Sequence, residues 1–188
     1  MKSIYQKTAR AVQHGFTLVE LLIVVIILAI LAAIVIPQFS SSASDAKEAA
    51  LKANLAALRS AIELYKVQHN GVYPSGVLAG DPGCTSPIVT VAGAVNSEAA
   101  FKAQLLNFTD VTGKTCNGPD VKTTLGPYLR KGVPADPVLN VATVTIQTTG
   151  APIVASGANG GWLYDNKSGQ IVFNHDGKDT KDVLYSTY

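Results

Sequence analysis

One carboxylate in this sequence stands where a carboxylate is expensive. Glu20 follows Phe16-Thr17-Leu18-Val19 and precedes sixteen consecutive apolar residues, Leu21 to Ile36. A charge placed inside such a segment costs about 3 kcal/mol or more in a membrane, so an isolated acid there has a partner or a function. The other residue types able to do chemistry are scattered. His14, His69 and His175 lie far apart, and the chain has two cysteines, Cys84 and Cys116. No HExxH, GxSxG or phosphate-cradling glycine loop with Lys-Ser/Thr is present. Asp165, Asn174, Asp176, Asp179 and Asp182 make an oxygen-rich stretch able to bind Ca²⁺, but solvated turn carboxylates are much the better reading of it. We therefore expect no catalytic residue, no metal ligand and no cofactor. A secreted soluble enzyme finds no catalytic constellation to support it.

The segment that carries Glu20 also explains the composition. Of 188 residues only 15% are charged, against about 25% for an ordinary soluble domain, and the mean hydropathy is +0.24. The excess belongs to one place. Phe16 to Ile36 is 21 residues, enough helix to cross a bilayer core of about 30 Å. Charge is equally uneven: residues 1–15 hold Lys2, Lys7 and Arg10 with no acid, while the remainder sums to −1. A basic leader ahead of an apolar run is the pattern of an export signal. Three readings compete: a secretory signal cut near Ala32-Ala33, an uncut anchor, or one resting on the junction Gly15-Phe16-Thr17-Leu18-Val19-Glu20-Leu21, which puts a carboxylate five residues into the apolar segment.

Beyond Pro37 the chain is Ala-rich and free of Gly and Pro from Ser40 to His69, which predicts a long helix. Leu51, Leu55, Leu58, Ile62 and Tyr65 fall on one apolar stripe at helical spacing. Ala46, Ala50, Ala53, Ala57, Ala61 and Leu64 form a second stripe of mostly small residues. It either widens one internal core or admits a second helix. Asp45, Glu48, Lys52, Arg59, Glu63 and Lys66 line the third face, with Glu48–Lys52 and Arg59–Glu63 spaced as i, i+4 pairs. Pro37 is expected to bend or break this helix.

After Asn70-Gly71 and Tyr73-Pro74 the composition turns to Gly, Thr, Val and Pro. A short helix is expected at Glu98–Phe108 with Ser97 as its cap. Strands are expected at Ile88–Ala92, Val141–Thr148, Gly161–Asp165 and Gln170–Asn174, the last two joined as a hairpin through Asn166-Lys167-Ser168-Gly169. In an exported chain an even cysteine pair reads as a disulfide, whereas a redox-active pair lacks CxxC spacing here.

The junction Gly15-Phe16-Thr17-Leu18-Val19-Glu20, behind Lys7, Arg10 and His14, resembles the processing site of type IV prepilins, and Pro37 matches a proline typical of that family. The resemblance is specific over roughly residues 1–70. It implies an α+β fold: a long N-terminal helix, membrane-spanning in its first half, packed on a C-terminal antiparallel β-sheet head. The implied segments are a leader at 1–15, an apolar helix at 16–37, its amphipathic continuation at 38–70 and a head at 71–188. It also implies cleavage between Gly15 and Phe16, N-methylation of Phe16, and pairing of Glu20 with the terminal amine of a neighbouring subunit. Implied partners are identical subunits, a prepilin peptidase/methylase and an inner-membrane platform. The precursor then sits in the inner membrane and the product in a surface filament. Gly126-Pro127-Tyr128-Leu129 and Val133-Pro134-Ala135-Asp136-Pro137 also resemble type II secretion pseudopilins, although the family's Trp after Asp-Pro is not matched. A minor or DNA-uptake pilin is a further rival, but a side-chain charge of −1 offers no overt nucleic-acid surface.

Overall fold

The computed structural model describes residues 16–85, 87–155, 157 and 159–188. Two compact units are resolved, one up to Ser42 and one at Ala43–Tyr188, with helix α1 (Leu18–Gln68) contributing to both. The expected break at Pro37 is not an interruption of secondary structure: the 51-residue helix is assigned continuously through it. Proline removes one donor from the ladder and crowds the preceding turn without obliging the chain to leave helical dihedrals. The helix ends where Asn70 and Gly71 adopt positive φ values of 53° and 84°, a conformation that closes a helix and that glycine adopts without cost.

In the first unit, Leu18–Ile36 has a mean hydropathy of 3.4 and none of it is buried. That is long and apolar enough to cross a membrane, and among the described residues its side chains find no cover.

In the second unit the same helix is well covered. Leu51, Leu55, Leu58, Ile62 and Tyr65 are buried against Phe101, Leu105, Trp162, Tyr164, Ile171 and Phe173. The small-residue stripe points away: Ala46, Ala50, Ala53, Ala57 and Leu64 are exposed, and only Ala61 of that set is buried. The two stripes are therefore separate surfaces.

Helix α2 (Glu98–Leu106) opens on Ser97, whose hydroxyl accepts from the Ala100 N–H at 3.1 Å. It stops two residues earlier than expected, because Phe108 enters a strand. Strand β1 (Phe108–Thr109) pairs antiparallel with β2 (Thr115–Cys116). Strands β3 (Val144–Gln147), β4 (Trp162–Asp165) and β5 (Ile171–Phe173) form a sheet in that order. The β4–β5 hairpin is antiparallel, with Trp162 opposite Phe173. β3 runs parallel to β4, so the head's main sheet is mixed where an entirely antiparallel one was expected. The intervening segment, residues 148–161, is long enough to carry the chain back to the same end of the sheet. Ile88–Ala92 is no strand: it makes one isolated bridge, Thr90 to Cys116, because its partner β2 is two residues long. Cys84 and Cys116 are disulfide-bonded, tying that loop to β2.

Candidate assembly site

The first turn of α1 is built by two side chains. The Thr17 N–H and hydroxyl both donate to Glu20 Oε2, at 3.0 and 2.9 Å, and the Glu20 N–H donates to Thr17 Oγ1 at 3.2 Å. This reciprocal capping box satisfies donors that a helix N-terminus leaves open, and an acid is favoured there by the helix dipole. The Thr-x-x-Glu spacing is a helix-start signal that the sequence carries openly. Phe16 precedes the helix and is exposed. Gly15 and the rest of the 1–15 leader lie outside the described residues. Glu20 thus sits one turn from Phe16, and its carboxylate is held by its own chain.

The charged face of α1 behaves differently from its spacing. Neither expected i, i+4 pair forms. Glu48 is buried and accepts the Thr180 N–H at 2.8 Å, with the Thr180 hydroxyl at 3.3 Å. Lys52 lies over the Tyr188 ring, 4.1 Å from its centroid. Arg59 donates to the Tyr188 carbonyl at 2.6 Å and to the Ile171 carbonyl at 3.1 Å. Glu63 instead meets Lys66 at 3.6 Å and accepts from Tyr73. Of the side chains that look like a solvated face, Glu48, Lys52 and Arg59 attach the C-terminal segment, while Glu63 and Lys66 meet Tyr73.

Among the described residues no group of three or more His, Cys, Asp or Glu side chains is arranged to hold a metal ion. The acids of the candidate calcium stretch are engaged with protein donors. Asp165 is buried and accepts from the Lys167, Ser168, Thr149 and Gly150 N–H groups at 2.8–3.0 Å. Burial pushes its carboxyl upward, but the N–H groups of Ser168, Gly150 and Lys167 outweigh this and hold it well below the usual carboxylate range. Asp176 accepts the Gly157 N–H, Asp179 those of Lys181 and Val183, and Asp182 pairs with Lys178 at 2.8 Å. Asp136 is also fully buried and accepts from Val138, Leu139, Val141 and Gly161, which fastens the loop after Pro134 to β4. Trp162, from that strand, donates its indole N–H to the Pro134 carbonyl at 2.7 Å. His69 is buried between the Tyr65 carbonyl (2.7 Å) and the Thr109 hydroxyl (3.0 Å), and burial lowers its pKa below the ordinary value.

Residues 10–36 match the prokaryotic N-terminal methylation motif. The N-terminal segment is therefore similar to those of prepilin-type proteins, pilins and pseudopilins alike. More particularly, the chain is 46% identical over 66 residues to a type II secretion system core protein G of Pseudomonas aeruginosa, covering 35% of this chain and 46% of that protein. A core protein G of Vibrio cholerae is 40% identical over 63 residues, 34% of this chain and 42% of that one. The type IV narrow pilus major component PilA5 of Thermus thermophilus is 45% identical over 58 residues, 31% of this chain and 50% of PilA5. The chain spans about half the length of the curated relatives it matches. No solved structure matches it.

Proposed function

We propose that this chain is a non-enzymatic structural subunit, cleaved after Gly15, N-methylated at Phe16 and polymerised through α1 into a type IV pilus at the cell surface. One observation carries the proposal: the whole of Leu18–Ile36 is uncovered in the single chain, and the exposed Ala46–Ala57 stripe continues that demand for a helical partner in the second unit. Lipid satisfies the apolar segment before assembly, and identical helices satisfy both surfaces afterwards. A prepilin peptidase/methylase and an inner-membrane platform are the partners this route requires. In the filament Glu20 leaves its capping box and pairs with the terminal amine of a neighbour. Two ions that are each costly in an apolar setting then share one solvation deficit. Pro37 is where we place local loosening of the packed helix.

A second reading, a type II secretion pseudopilin, is favoured by the protein G relatives and shares every step up to assembly. It differs in destination, a short periplasmic fibre. Mass spectrometry of the mature N-terminus tests the common core: a methylated Phe16 is expected, and a start near Ile34 or an intact Met1 overturns it. Electron microscopy of sheared surface fractions separates the two, since long filaments carrying this subunit are expected of a pilin alone.

A further inference from the structure

Three Asn-Gly pairs occur in the sequence, at 70–71, 117–118 and 159–160. Asparagine before glycine is chemically soft, because a following residue without a side chain lets its backbone nitrogen reach the asparagine Cγ. All three asparagines are exposed, so exposure does not rank them. The glycine N–H groups do. Gly71 donates to the Lys66 carbonyl at 2.9 Å, in the turn that closes α1. Gly160 is buried and donates to the Asn174 carbonyl at 3.0 Å, just beyond the β4–β5 pair. Gly118 is half-buried, and its N–H has no acceptor among the described residues. A bonded amide gives up its proton only when the local structure opens, whereas an unbonded one loses it in the folded state.

Asn117 is also held in a way that favours attack. Its backbone N–H donates to the Val89 carbonyl and its Oδ1 accepts the Val89 N–H, both at 3.0 Å. The oxygen on which negative charge develops during attack at Cγ therefore already faces a donor. We propose that Asn117 is a self-modification site. The Gly118 nitrogen, its proton lost to solvent base, bonds to Asn117 Cγ, and the tetrahedral adduct expels Nδ2 as ammonia to leave a succinimide ring. Water then opens the ring. Attack at Cγ breaks the new bond and yields aspartate. Attack at the backbone carbonyl breaks the original peptide bond and yields isoaspartate, with the chain running through the former side chain. Either product puts a carboxylate next to Cys116, the β2 end of the disulfide to Cys84, and isoaspartate lengthens the backbone there by a methylene. An older subunit thus carries an added negative charge on this loop. The reaction needs only the folded head, whichever fibre the chain enters.

Peptide mapping by mass spectrometry on the full chain in detergent micelles tests it. The folded protein is aged in mildly alkaline water enriched in heavy oxygen, and conversion of each asparagine is followed with time. Asn117 is expected to convert roughly tenfold faster than Asn70 and Asn159, to a mixture of aspartate and isoaspartate. Unfolding the reduced chain in urea is expected to bring the three rates together, since each asparagine then precedes an unbonded glycine nitrogen. Gly118→Ala, whose added methyl meets the Ile88 side chain at 3.3 Å, is expected to slow Asn117 by roughly tenfold and leave the other two unchanged. The proposal fails if Asn70 or Asn159 keeps pace with Asn117 in the folded wild type, a comparison that requires no variant to fold. It fails too if the ranking survives unfolding, or if Gly118→Ala leaves the Asn117 rate unchanged.

Discussion

The same helix meets two different fates in this molecule. Between Leu18 and Ile36 it presents apolar side chains on every face and covers none of them. Between Glu48 and Tyr65 it buries one stripe in the head, holds the C-terminal segment with a second and leaves a third, mostly of alanines, exposed. The contrast separates what one chain supplies for itself from what it must obtain elsewhere. The head is self-sufficient, with carboxylates such as Asp136 and Asp165 holding its loops. The first half of α1 is not.

Substitutions that act on only one half sharpen that contrast. The largest effect is expected from Glu20→Gln, which keeps the helix and its length but removes the charge. Assembled filament should fall to background in sheared fractions, while leader cleavage followed by mass spectrometry continues. Next, Leu55→Ala should destabilise the head by about 3–5 kcal/mol, as cavity-forming core substitutions do. Leu28→Ala, in the uncovered half, should leave the head's thermal midpoint unchanged by calorimetry. An equal loss for both would break the distinction.

Reducing the Cys84–Cys116 bond, which spans 32 residues of sequence, should cost about 3–4 kcal/mol by the chain-entropy account. Denaturant titration with and without reductant measures it, and the apolar segment should be indifferent. The smallest effect is from pH. His69 has a lowered pKa in the fold, so the unfolded chain takes up its proton first and stability falls as pH drops below about 6.5. Asp165 is likewise lowered, so its contribution is present above its ordinary value and lost as pH falls below about 4. Each slope is at most about 1.4 kcal/mol per pH unit, and His69→Gln should remove the upper one from a pH series of thermal midpoints.

Much of this was legible in the residues. The apolar run, the buried stripe Leu51–Tyr65 and the β4–β5 hairpin stem from periodicity and turn chemistry, which are local signals. What escaped is long-range. Glu48 and Lys52 are spaced as an ion pair, yet Thr180 and Tyr188 claim them, and nothing within a helical turn announces a partner 132 residues away. The parallel entry of β3 depends on the path of residues 148–161, which propensity does not fix. At the assembly site the Thr17–Glu20 box was in plain view as a spacing, while any partner for Glu20 in a second chain lies beyond what one sequence encodes.

The attachments of the C-terminal segment have a consequence for timing. Arg59 finds its acceptors 112 and 129 residues later in the chain, and Glu48 its donor 132 residues later. Contacts of such span close late, after the entropy of a long loop has been spent. A chain delivered from its N-terminus therefore exposes a finished helix well before the residues that complete its head. Until the C-terminal segment arrives, Glu48 and Arg59 of α1 lack the partners they hold in the finished fold.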